Sequence, residues 1–189
     1  MQRASYSGPS QAGFSLIEVL VAILLLSIGI LAMSTTLSYA VQMPKLAGYH
    51  AAAVNLASSY VERMRANTDG FASGAYDQAS SYDGLHSPQA RLPADSCAYP
   101  NCNANTMASM DFADLKVAVR AELPSGGALM LRDSQSGVAS SSEGNLWIVW
   151  QEPSTFALLS PFTSDNCPTA ISGNFTNPAP RCLYLRFRL

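Results

Sequence analysis

One carboxylate in an apolar run is the first group in this sequence that needs a chemical reason. Glu18 is the only charged residue among the 20 positions from Phe14 to Met33, whose other non-apolar members are Ser15, Ser27 and Gly29. An acid in a membrane helix costs roughly 2.5–3.5 kcal/mol at the centre and less near an interface. It either snorkels to the headgroups or meets a counter-charge. Directly before the run stands Gly13. Cleavage between Gly13 and Phe14 would create an α-amine one helical turn from Glu18, on the same or a neighbouring chain, and that amine would be its natural partner. Gly13, Phe14 and Glu18 are therefore the candidate processing and pairing residues.

The other chemistry-bearing residues are few. Two histidines, His50 and His86, fall far apart in sequence, His50 on a helical stretch and His86 in an irregular one. There is no HExxH, no nucleophile elbow and no phosphate-cradling glycine pattern. Serines are plentiful, but no motif sets a base beside one. Tyr76, Tyr82 and Tyr99 read as loop anchors rather than as an exposed aromatic surface. Asn174-Phe175-Thr176 matches a glycosylation sequon, a short pattern that arises often by chance. No enzyme, cofactor or metal is expected. A formal net charge of −2, with 11 basic and 13 acidic residues, leaves no electrostatic footprint for nucleic acid. Arg181, Arg186 and Arg188 read as solvated strand positions. Four cysteines, Cys97, Cys102, Cys167 and Cys182, are spaced C-x4-C and C-x14-C across the two pairs. That matches no zinc finger or ribbon. An even number in an exported chain favours disulfides; three pairings are possible and spacing does not choose among them.

These residues are carried by a small set of elements. Phe14–Met33 as a helix would span about 30 Å, the thickness of a bilayer's hydrocarbon core. A cleaved secretory signal fits poorly. Only Arg3 is basic ahead of the run, the run is too long, and the small residue precedes it. Leu46, Tyr49, Ala53, Leu56, Tyr60 and Met64 recur at steps of three and four, so an amphipathic helix should continue the anchor, kink near Pro44 and stop by Asn67 to Gly70. Residues 72–110 read as a long irregular loop. Asp111 is expected to cap a helix running to about Glu122, with Leu115, Val119 and Leu123 on one side. Strands are expected at 127–132, 146–150 and 183–189, with 134–143 as a polar hairpin-like connection. In the last strand Leu183, Leu185, Phe187 and Leu189 share one face, and Tyr184, Arg186 and Arg188 the other. Trp147 and Trp150 should point to opposite faces.

The stretch Gly13-Phe14-Ser15-Leu16-Ile17-Glu18-Val19-Leu20 resembles the cleavage and methylation motif of type IV pilin-like proteins. The resemblance implies that a prepilin peptidase cuts after Gly13 and methylates the new amine of Phe14, and that Glu18 serves subunit assembly. Further on, Asn55-Leu56-Ala57-Ser58-Ser59-Tyr60-Val61-Glu62-Arg63-Met64-Arg65-Ala66-Asn67 is similar to the end of the long helix in PilV-type minor pilins. Leu123-Pro124 after a short helix, a Trp-containing strand at 146–151 and the closing CLYLRFRL fit the same order. Major pilins often carry a proline deeper in the apolar segment, whereas here the first proline after Phe14 is Pro44.

The expectation is an α+β, pilin-like fold: a long N-terminal helix on a small antiparallel sheet, with a short helix and disulfide-bounded loops. Residues 1–13 would be a leader, 14–39 a transmembrane and filament-core helix, and 40–189 an amphipathic helix with a periplasmic or extracellular head. Pairings Cys97–Cys102 and Cys167–Cys182 are favoured as local. The second closes a loop of about 15 residues, worth roughly 3 kcal/mol in the chain-entropy model, and resembles the C-terminal disulfide-bounded loop of many pilins. The implied function is that of a minor pilin supporting pilus initiation and assembly, and hence adhesion or twitching motility, by packing rather than chemistry. A minor pseudopilin of a type II secretion system is the alternative. The implied partners are a prepilin peptidase, other minor pilins, the major pilin and, before assembly, the bacterial inner membrane.

Overall fold

The computed structural model describes residues 13, 15–100, 102–153, 165–175 and 179–189. The expected leader 1–12, Phe14 and the sequon's Thr176 lie outside these residues. The chain divides into two compact units, Met1–Met43 and Pro44–Leu189.

Helix α1 runs from Leu16 to Ala66 and includes Pro44. The helix continues through Pro44, and the division between the two units falls at that proline. In the first unit the helix is apolar all round. Ser27, Ser34, Thr35 and Thr36 donate their hydroxyls to carbonyls three or four residues back, which satisfies them without water. The segment is long and apolar enough to cross a membrane.

In the second unit, the rest of α1 buries one stripe: Leu46, Ala53, Ala57, Tyr60, Val61 and Met64, with Tyr49 and Leu56 half-buried beside it. A short helix α2 (Thr68–Ser73) follows; Asn67 caps its start and Gly74, at φ 87°, ends it in the left-handed region. A single 3-10 turn covers Ala94–Cys97. Helix α3 spans Ala104–Glu122. Its start corrects the expectation at Asp111. The cap is Asn103, whose side chain accepts from Asn105 N and Thr106 N while the Thr106 hydroxyl accepts from Asn103 N. Asparagine and threonine make this box as an acid would not have signalled, and Asp111 is left inside the helix for another use.

The sheet has the order β1-β2-β3, all antiparallel, with β1 at Gly127–Gln135, β2 at Val138–Trp150 and β3 at Arg181–Arg188. The polar connection expected at 134–143 is a hairpin, as read, and the strands extend through most of it. Only Ser136 and Gly137 turn, both at positive φ (52° and 81°), the geometry that matches the twist of a two-residue hairpin. A register shift between Arg132 and Ser134 marks where the hairpin bends. Between β2 and β3 lies α4 (Thr169–Ser172).

The two sheet faces bury different partners. Ala128, Met130, Leu146, Ile148, Trp150 and Phe187 pack with α1, α2 and α3 in the main core. Leu129, Val149 and Cys182 pack with Tyr82 and Ile171 in a smaller one. Trp150 is fully buried and meets the His50 ring edge-on at 5.1 Å. Trp147, on the opposite face, stacks on Tyr184 at 5.2 Å. The expectation of opposite faces for the two tryptophans therefore agrees with the packing.

Candidate assembly determinants

Gly13 is exposed, and a Cβ added to it would meet nothing within 4 Å. Packing among the described residues gives no reason for a glycine there. Glu18 sits in the first turn of α1, where its N–H donates to the Ser15 carbonyl at 3.0 Å. Its residue is exposed, and no ion pair to it is formed among the described residues. An acid in the first turn is favoured by the helix dipole, by roughly 0.3–1 kcal/mol. That accounts for its position in a helix and not for its presence in an apolar one.

The four cysteines pair as Cys97–Cys102 and Cys167–Cys182, so none is free. The first bond closes a six-residue loop at whose apex Tyr99 is 97% exposed, whereas Tyr76 and Tyr82 are buried. The second ties β3 to the segment bearing α4, whose Ile171 covers Val149 and Leu129. Glu18 belongs to the first unit and both disulfides to the second.

What holds the second unit in its shape was only partly legible. In the ERMRAN stretch Glu62 pairs with Arg65 at 2.6 Å, and Arg63 reaches Asp111 and Asp114 of α3, both at 3.2 Å. Asp111 also accepts from the Tyr76 hydroxyl at 2.6 Å. Asn67, 7% exposed, donates to the Ala104 carbonyl and the Tyr76 oxygen and accepts from Gly70 N. One asparagine therefore joins the end of α1, α2 and the start of α3. Burial pushes the Tyr60 and Tyr76 hydroxyls well above their ordinary value; the nearby Asp111 carboxylate adds to this, and for Tyr60 so does Tyr76.

Arg120 is the strongest residue that sequence reading missed. Its guanidinium is almost fully buried and donates to the carbonyls of Gly126, Leu85 and Ser87 and to Asp83. It pins the 83–87 loop to the end of α3. His86 helps: its Nδ1 lies 2.8 Å from the Ser125 hydroxyl. That residue is only 1% exposed, so the pair offers no hydroxyl to a substrate and acts as a clasp. Arg181, expected to be solvated, is 8% exposed and pairs with Asp165 at 3.0 Å and Glu152 at 3.6 Å. Its register opposite Trp150 puts it where the strand enters the sheet, which strand alternation alone did not reveal. Arg186 and Arg188 are exposed, as expected.

Residues 8–34 match the family model of the prokaryotic N-terminal methylation motif, and residues 38–113 match that of type IV pilin Tt1218. No curated protein and no solved structure matches the chain. The second match covers the upper part of α1, α2 and the start of α3, which are the elements that Asn67, Arg63 and Asp111 bind together. The α+β architecture is consistent with a pilin fold, and the type IV pilins that the chain resembles are structural proteins rather than enzymes. The methylation motif implies processing by a prepilin peptidase and pilus assembly with other pilins, and together with the apolar helix it points to membrane anchoring.

Proposed function

We propose that this type IV pilin-like chain is a PilV-type minor pilin. In this reading it is cut between Gly13 and Phe14, methylated on Phe14, held in the bacterial inner membrane by α1, and then assembled into a pilus. The head, residues 40–189, folds on the far side of the membrane, where its four cysteines oxidise. The protein acts by packing, and pilus initiation, adhesion or twitching motility follow from its place in the filament. The observation that carries the reading is Glu18. It is a lone carboxylate on an apolar helix with no partner among the described residues, next to a glycine that packing does not require. A new amine at Phe14 supplies the missing positive charge, on this chain or on the subunit it docks against.

The ERMRAN stretch supports the PilV-type assignment over a minor pseudopilin of a type II secretion system, because it is the part of the chain most similar to that group. Intact mass and N-terminal sequencing of the chain taken from sheared filaments test the reading. The expected result is a mature protein that begins with N-methylated Phe14 and co-isolates with pilus components. Retention of Met1, or co-isolation with secretion components alone, would overturn it.

A further inference from the structure

We infer that the outer edge of β3 is a strand-addition site, filled on assembly by an extended segment of a different pilin subunit. This rests on the pilin reading above and names a contact that the reading leaves open. The two edges of the sheet are unlike. On the β1 side every outward group from the Ala128 N–H to the Arg132 N–H is met. The Ala128 carbonyl accepts from Ser81 N at 2.9 Å, and its N–H donates to the Ser81 hydroxyl at 3.0 Å. Met130 exchanges both bonds with Gln78. Arg132 N donates to Asp77 at 2.7 Å. This edge is closed.

The phase of those bonds sets the phase of the rest. Since Ala128, Met130 and Arg132 face outward, Leu129 and Leu131 bond inward to Trp147 and Asn145, and Leu146 and Ile148 of β2 face β3. Their partners Leu185 and Leu183 bond inward, so the N–H and C=O of Tyr184 and Arg186 face outward. The Leu189 N–H, donating to the Ser142 carbonyl at 2.8 Å, keeps the same phase. The Arg188 carbonyl accepts from Arg65 Nη2 at 3.5 Å. The backbone groups of Tyr184 and Arg186 meet no hydrogen-bond partner among the described residues. An unpaired strand edge is a template for another strand.

The side chains state what should fill it. Leu183, Leu185 and Leu189 are half-buried against the main core, and apolar residues of an added strand would cover them. On the other face Arg188 has a side chain 77% exposed, with Glu143 at 4.0 Å. A carboxylate on the incoming strand fits beside it. A second copy of β3 fits worse: the strand contains three arginines and no acid, so it would bring no carboxylate to Arg188 in any register. The occupant is therefore a strand of another subunit, apolar on one face and acidic on the other.

Amide-resolved hydrogen exchange on the full chain tests this. In purified monomer in detergent, the Tyr184 and Arg186 amides exchange freely while those of Leu183 and Leu185 are protected. In filaments, exchange at Tyr184 and Arg186 slows about tenfold or more. Arg186→Pro removes an outward N–H together with the ion pairs from Arg186 to Asp133 and Glu143 and leaves the inner ladder intact, so it should reach the membrane at wild-type level and fall about tenfold in filaments, whereas Arg186→Ala, which loses the same ion pairs, keeps the edge and assembles. Equal exchange of both amides in monomer and filament, or normal incorporation of Arg186→Pro, overturns the site. Protection that develops in the purified chain alone on concentration overturns the heterologous occupant in favour of a second copy. If the wild-type chain is absent from filaments, the pilin reading fails, and exchange at the same two amides in native membranes, protected or free, decides the edge.

Discussion

Along α1 one helix carries two surfaces. From Leu16 to Met43 every residue is exposed except the half-buried Gln42, and apolar side chains point in all directions. From Leu46 to Met64 the apolar residues recur on one stripe, and that stripe is buried. A helix apolar all round has no preferred face, so it is stable only where its whole surroundings are apolar, in lipid or among other helices. A striped helix needs one partner and finds it in its own chain. The comparison teaches that the lower half takes its surroundings from outside the chain, whereas the upper half brings its own. Mutations should therefore separate the two halves.

The largest separation is expected at Glu18. Glu18→Leu should leave head folding, membrane insertion and cleavage unchanged, yet abolish normal incorporation. In an assembled core the mature amine would be stranded, at a penalty of roughly 3–5 kcal/mol. Glu18→Asp should be partly defective. Mature mass, thermal melting of the head and the amount in sheared filaments check all three steps; full incorporation of Glu18→Leu would remove the pairing mechanism. The upper half should answer in the opposite way. Trp150→Ala, at a fully buried site, should destabilise the head by roughly 3–5 kcal/mol, whereas Leu24→Ala should change it by less than about 0.5 kcal/mol. Denaturant titration of the full chain in detergent reads both, and equal effects would erase the distinction.

A smaller effect is expected at Asn67, where Asn67→Ala leaves the Ala104 carbonyl and the Gly70 N–H without their partner. A loss of about 2 kcal/mol should follow, with hydrogen exchange rising first at the start of α3. The smallest effect concerns Tyr60, whose hydroxyl is buried with no hydrogen-bond partner among the described residues. Tyr60→Phe should be neutral or stabilising by up to about 1 kcal/mol. Its pKa is raised by burial from an ordinary 10.0. The unfolded chain therefore loses this proton first, and stability present below pH 10 falls as pH rises beyond it. Tyr60→Phe should make that alkaline fall shallower in melting curves between about pH 9 and 11. Unchanged curves would show that this group does not titrate across unfolding.

Where periodicity was strong, the chain was legible. The stripe on α1, the alternation of Leu183 to Leu189 and the opposite faces of Trp147 and Trp150 depend on local geometry, with periods of 3.6 and 2. The start of α3 was misplaced because its cap is an Asn–Thr box, while Asp111 looked like a cap and is spent on Arg63 and Tyr76. The hairpin was expected at Ser134 to Glu143, but how far its strands reach was not legible, because apart from Val138 and Ala139 the stretch is polar and no alternation marks it. Arg120 and Arg181 gave no signal, since a buried arginine is recognised only by carbonyls and acids that arrive from distant segments.

By itself, then, the sequence determined the apolar run with its single carboxylate, the glycine before it, the two helical surfaces of α1 and the likeness to type IV pilins, because each is written in neighbouring residues. The tertiary structure alone decided that Asn67 joins three helices, that Arg120 clasps the 83–87 loop, and that one sheet edge is closed by Asp77 to Ser81 while the other is unpaired at Tyr184 and Arg186 among the described residues. Those depend on which backbone groups meet across the fold. A backbone N–H or carbonyl is the same in every residue but proline, so residue type does not disclose its partner.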